Sequence, residues 1–154
     1  MKKISGRLLF WVLWPITWVY APLKTRVRIL VVCGDEFLAT KSYFGRGFWE
    51  LPGGGTKKNE TQADTAVREL YEETGVQILQ KNVTELVPLS VYHESGLRMR
   101  YKIFVTQIVA ELKTAKPNNE VSDVAWLRLS DTDSLVANHV KTTLSQYKQG
   151  RLLK

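Results

Sequence analysis

The stretch from Gly54 to Val76 constrains this chain more than any other. It runs Gly54, five residues, Glu60, seven residues, then Arg68-Glu69-Leu70-Tyr71-Glu72-Glu73-Thr74-Gly75-Val76. Four glutamates and one arginine fall within 14 residues, directly after Leu51-Pro52-Gly53-Gly54-Gly55. So much like charge in a short span is costly unless positive charge sits within it. A hard divalent cation, which takes oxygen ligands, is the natural candidate.

The same residues specify a helix. Thr61 is placed to cap it, and Asp64 three residues later completes a capping box. Ala63, Ala66, Val67 and Leu70 recur at helical spacing and form one apolar stripe. Glu69, Glu72 and Glu73 share a face beside that stripe. Arg68 and Glu72 are four apart and can pair. Gly75 suits the helix stop, because glycine tolerates a left-handed backbone. The helix therefore fixes one side to a core and leaves an acidic face free.

The spacing G-x5-E-x7-R-E-U-x-E-E-x-G-U, with U a bulky aliphatic residue, is filled at every fixed position, the U positions by Leu70 and Val76. A pattern this long is far more specific than a lone glycine motif. On these residues the chain resembles the Nudix hydrolases, the MutT-like family. The resemblance implies an α/β (α+β) fold, an α/β/α sandwich with a mixed β-sheet, over residues 25–150. Residues 1–24 would form a separate basic, apolar segment of helical character, and 151–154 a tail. It implies Mg²⁺, or Mn²⁺ in its place, held against a diphosphate. Glu69 and Glu73 are then the expected main metal ligands, with Glu72 ligating directly or through water. Glu60 would assist, Arg68 would orient the glutamates, and Gly53, Gly54 and Gly55 would lie against the phosphates.

The implied reaction is hydrolysis of a nucleoside diphosphate linked to another group, by metal-activated water attacking phosphorus. A cation both activates the water and spreads charge on the phosphoryl oxygens, and an ionised carboxylate can take the proton. Which carboxylate does so is left open. Glu120, in Asn118-Asn119-Glu120-Val121, is a further catalytic candidate, equally readable as a surface acid. Two other functions stand beside this one. A non-catalytic, membrane-tethered nucleotide sensor would usually have lost a box glutamate, and none is lost. An RNA 5′-end pyrophosphohydrolase would call for concentrated basic charge outside the N-terminus.

At 154 residues the chain suits one domain with a full core. Strands are expected at Val27–Cys33, Phe37–Ser42, Val83–His93, Met99–Leu112 and Val124–Leu129, with Tyr43–Glu50 a loop. A last helix is expected to about Gln149, capped by Ser130 or Asp131. Cys33, the single cysteine, reads as a buried free thiol. His93 and His139 read as structural, and Trp49 as core packing. Arg98, Arg100 and Lys102 alternate and share a strand face, most simply a solvated one.

Net charge is +7, but residues 1–28 hold six basic residues and no acidic ones. The remaining 16 basic and 15 acidic residues nearly cancel, which argues against a general nucleic-acid binder. Leu8–Leu23 is apolar, carries Trp11, Trp14 and Trp18 on one helical face, and contains Pro15. The favoured reading is an interfacial anchor on an anionic membrane surface through residues 1–28. A packed arm or homodimer contact, a transmembrane helix and a signal peptide are the alternatives. The expected location is cytoplasmic, at the inner face of the membrane if the anchor reading holds.

Overall fold

The structure, a computed structural model, describes residues 25–43, 47–94, 97–110, 112–114, 120–130 and 136–152. The expected apolar N-terminal helix and its anchor lie outside the described residues. Strands β1 (Thr25–Cys33), β2 (Glu36–Ser42), β3 (Trp49–Glu50), β4 (Thr84–Glu94), β5 (Leu97–Ile108) and β6 (Val121–Arg128) form one sheet. Its order is β3-β2-β1-β5-β4, with β6 also paired to β2. β1 and β5 run parallel from Thr25↔Arg100 to Cys33↔Ile108, and the other pairings are antiparallel. The mixed sheet carries helix α1 (Gln62–Thr74) on one face and α2 (Asn138–Leu152) on the other.

β1 is central and buried on both faces, so it reads as a nearly continuous apolar run rather than an alternating one. Val27, Ile29 and Val31 pack with Leu38, Phe104 and the Ala66 and Leu70 of α1. Leu30 and Val32 pack with Phe37, Tyr101 and Ile103 against Val140, Leu144 and Tyr147 of α2. β1 and β2 pair only near their turn, at Val32↔Phe37 and Cys33↔Glu36. That splay frees the first half of β1 to bond with the glycine-rich loop.

The box helix forms as its sequence dictates. Thr61 Oγ1 accepts from the Asp64 amide at 3.1 Å, and the Asp64 carboxylate accepts from the Thr61 amide at 3.3 Å. Such a cap contributes about 1 kcal/mol. Gly75 ends the helix at φ 73°, its N–H donating to the Tyr71 carbonyl at 2.8 Å. Ala66 and Leu70 lead the buried stripe; Val67 is only half-buried, and Thr65 and Thr74 take buried places instead.

Four expectations are corrected. The last helix starts at Asn138, well past the expected Ser130 cap, because Val136 is bridged to Trp49 and the Ala137 amide donates to the Trp49 carbonyl at 2.9 Å; the other cap candidate, Asp131, lies outside the described residues. Its first amides are capped from β4: the Glu94 carboxylate accepts from the Asn138 and His139 N–H groups at 3.3 and 2.6 Å. β5 ends at Ile108 rather than Leu112, and Val109 is fully exposed. Trp49–Glu50, expected in a loop, forms β3, pairing Thr40↔Glu50 and Lys41↔Trp49. Cys33 is free but half-buried, lying at the β1–β2 turn rather than inside the core. Trp49 does pack on the core, with Lys41 Nζ 4.2 Å from its ring centroid.

Candidate functional site

The site is a loop laid along β1 and a helix that returns beneath it. Val27 N–H donates to the Gly54 carbonyl and Ile29 N–H to the Pro52 carbonyl, both at 2.9 Å. So close an approach demands glycine at Gly53, where φ is 145° and a Cβ would stand 2.1 Å from the Val27 oxygen. At Gly54 the constraint comes from the helix: a Cβ there would lie 2.5 Å from Glu69 Oε1. Gly55 has open space around it. Loop and helix are joined by the Gly53 N–H, which donates to Glu73 Oε2 at 3.0 Å.

Arg68 gathers the other box carboxylates. Its Nε donates to Glu60 Oε1 at 2.7 Å and its Nη2 to Glu60 Oε2 at 3.0 Å, a bidentate pair. Its Nη1 donates to Glu69 Oε1 at 2.7 Å and Glu72 Oε2 at 2.9 Å, and Nη2 also reaches the Gly55 carbonyl at 3.0 Å. The expected Arg68–Glu72 pair is therefore one contact of several. Glu60 is held further by the Lys57 amide at 2.9 Å and the Thr65 hydroxyl at 3.0 Å. Lys57 Nζ lies 3.2 Å from the more exposed Glu72.

These surroundings set the charges. The Arg68 hydrogen bonds hold Glu60 at a pKa of about 2, even though burial pulls the other way. Arg68 is correspondingly driven up, first by Glu60 and then, against burial, by Glu69 and Glu72. Glu73 behaves oppositely: burial raises it to about 7, with the Arg28 charge and the Gly53 N–H opposing. A carboxylate in that condition lacks enough positive charge close by.

Among the described residues, no three acidic, histidine or cysteine side chains already converge as a cation cage. Arg68 occupies the middle of the cluster instead. The donor set nonetheless fits a hard cation: it is all carboxylate, Gly54 leaves room for Glu69, and Glu73 is short of positive charge. Glu69 and Glu73, the expected main ligands, both lie against the glycine loop. Glu120 stands exposed just before β6, its carbonyl accepting from the Tyr43 amide at 3.0 Å. Lys102, from the basic strand face, pairs with Glu85 at 2.8 Å.

A second polar layer, on the α2 face, was not visible in the sequence pattern. Arg28 is buried and donates through Nη1 to the Leu51 and Gly53 carbonyls at 2.7 and 3.1 Å, and through Nη2 to Glu50 Oε2 at 2.8 Å. Burial works against its charge, but Glu50, Tyr101 and Glu73 outweigh it and raise its pKa. His139 is fully buried, and burial lowers its pKa. The Leu51 N–H donates to its Nε2 at 3.4 Å while Nδ1 meets Glu94 at 2.9 Å, the pattern of a neutral ring protonated at Nδ1. His139 is thus structural, as expected, and holds the strand that leads into the loop. Arg28 and Glu50 had no signal of their own, since a lone arginine in a strand names no partner 22 residues away.

The NUDIX domain family matches residues 22–147 of the chain. An 8-oxo-dGTP diphosphatase of Proteus vulgaris is 45% identical over 70 residues, covering 42% of this chain and 62% of that protein. An RNA pyrophosphohydrolase of Pelagibacter ubique is 27% identical over 137 residues, covering 78% of this chain and 85% of that one. The chain spans less than two thirds of the Proteus protein and 17% of an mRNA decapping complex subunit 2 of Schizosaccharomyces pombe, to which it is 24% identical over 130 residues. The fold is shared with a C. elegans Ap4A hydrolase at a TM-score of 0.70 and 15% identity, over 85% of this chain and 99% of that one.

Proposed function

The chain belongs to the NUDIX family, and from that premise we propose that it hydrolyses the phosphoanhydride of a nucleoside diphosphate linked to a second group, with Mg²⁺ as cofactor and Mn²⁺ as a substitute. The observation that carries this reading is the meeting of Glu69 and Glu73 with the Gly53–Gly54 loop. Those two side chains would hold the cation, with Glu72 beside them. A bound Mg²⁺ supplies neutralisation of the phosphoryl charge and a more acidic water. Arg68 holds Glu60, Glu69 and Glu72 in place. Glu72 and Glu120 are both exposed and are the candidates to take the proton of the attacking water. The glycine loop, having no side chains, lets a diphosphate approach the backbone.

A second substrate class has its own support. The likeness to the Pelagibacter RNA pyrophosphohydrolase spans most of both chains, so 5′-triphosphorylated RNA belongs on the test panel. The near-neutral charge beyond residue 28 favours small nucleotides over RNA. No helix among the described residues is long and apolar enough to cross a membrane. Residues 1–24 are proposed to bind an anionic surface; Arg28, counted with them by sequence, is buried and does not contribute. Liposome flotation of the full chain against residues 25–154 tests that, and equal flotation contradicts it.

The enzymatic reading is tested with a nucleotide panel, Mg²⁺ and ¹⁸O-labelled water. Product phosphate carrying the label on one phosphorus is expected, and Glu69→Gln should abolish it. Absence of product from every substrate, or an unaffected Glu69→Gln enzyme, would overturn the proposal.

A further inference from the structure

Three consecutive residues of β1 hold four consecutive carbonyls of the glycine loop. The backbone N–H groups of Ile29 and Val27 take the Pro52 and Gly54 oxygens, at 2.9 Å each. The carbonyls that alternate with them, Leu51 and Gly53, are both taken by Arg28 Nη1, at 2.7 and 3.1 Å. Every carbonyl from Leu51 to Gly54 is therefore fixed, which fixes the peptide planes between them. The Gly53 N–H is left facing the helix, where it meets Glu73 Oε2 at 3.0 Å.

Arg28 is shaped for this task. It is buried, its second nitrogen is tied to Glu50 at 2.8 Å, and its guanidinium lies 5.3 Å from the Tyr101 ring centroid. Its Nε is the one buried side-chain nitrogen or oxygen without a partner among the described residues. The group is thus oriented for the loop at the expense of its own third donor direction. Lysine could keep the charge, but its tetrahedral ammonium lacks the planar fork that spans the two carbonyls and Glu50 together.

We infer that Arg28 is a positioning residue for the cation site: it sets the Leu51–Gly54 backbone so that the Gly53 amide holds Glu73 in its ligating place, without itself touching substrate. This rests on the proposed reading of Glu69 and Glu73 as ligands. The competing account is an ion pair that merely stabilises the core with Glu50.

The two separate when Mn²⁺ alone is titrated into the full chain and followed by electron paramagnetic resonance. Wild type, Arg28→Lys and Val140→Ala are compared, the last a core truncation on α2 that leaves every polar contact of the loop in place, with melting recorded for each. Arg28→Lys is expected to bind Mn²⁺ about tenfold more weakly, while Val140→Ala melts lower and binds like wild type. Equal Mn²⁺ affinity in Arg28→Lys and wild type overturns the inference, as does an equal loss in Val140→Ala, which would mark general loosening. A wild type that binds no Mn²⁺ overturns the ligand assignment first, and this inference with it. Should Arg28→Lys fail to fold, ¹⁵N NMR of wild type decides. Slowly exchanging Arg28 Nη signals and a Gly53 amide that shifts on Mg²⁺ addition are expected; an Arg28 side chain exchanging like free arginine, or an unmoved Gly53 amide, overturns it.

Discussion

Glu60 and Glu73 belong to one acidic cluster, yet one is fully provided for and the other is not. Glu60 receives a bidentate arginine, a backbone amide and a hydroxyl, and its pKa falls to about 2. Glu73 receives one amide, and burial carries its pKa up to about 7. The same side-chain type thus does two jobs. The Arg68 side of the cluster is a scaffold whose charges are already balanced. The Glu73 side holds a charge deficit that a cation can relieve, and such deficits concentrate at functional sites. On the proposed reading, the first region holds the glutamates in place and the second draws the cation to them.

The largest effect should come from the loop that joins the two regions. Gly53→Ala places a Cβ against the Val27 carbonyl at a φ of 145°, so a loss of more than about 3 kcal/mol is expected by urea denaturation. A near-native midpoint would mean that loop and strand are not locked together.

Next comes pH. Without divalent cations, Glu73 has a folded pKa near 7 against an unfolded 4.5, so the stability tied to its protonated form is complete below 4.5 and is lost as pH rises through 7. Glu73→Gln should therefore be more stable than wild type above pH 7, by up to about 3 kcal/mol, and the gap should close by pH 4.5. Glu60 has the opposite sign: its contribution is present above 4.5 and is lost as pH falls toward 2. Glu60→Gln should be the weaker protein at pH 7 and converge with wild type in acid. Parallel pH profiles for the two variants would erase the distinction between the regions.

Arg68→Ala sharpens it further. Three glutamates lose their shared partner, and a loss of about 2 kcal/mol is expected from urea midpoints. The smallest effect is Gly55→Ala, which meets open space and should change stability by less than about 0.5 kcal/mol. Of the three adjacent glycines, one is then required by the strand backbone, one faces the movable end of Glu69 and one meets neither.

How far the sequence could show this depended on how local each cause is. The α1 cap and stop are set within Thr61–Gly75 and were legible there, as were Ala66 and Leu70 of the stripe; the burial of Thr65 and Thr74 in place of Val67 was not. The start of α2 was not, because Val136–Ala137 are claimed by Trp49 and the helix amides are capped by Glu94, more than 40 residues upstream. The acidic residues of the candidate site were legible as a spacing pattern. Their division into satisfied and unsatisfied members was not, since it depends on burial and on Arg28, whose contacts with Leu51 and Gly53 exist only once the loop lies on β1. Charge counting placed Arg28 with the N-terminal segment, whereas folding places it beneath the site.

The most direct test joins activity to stability in one variant. Glu73→Gln keeps an oxygen for the Gly53 amide and removes only the charge. With Mg²⁺ and the best substrate of the panel, turnover should fall about 10²-fold or more, while the cation-free protein melts at or above the wild-type temperature at pH 8. Wild-type turnover in Glu73→Gln, or a turnover loss that merely follows a lower melting temperature, would contradict the account.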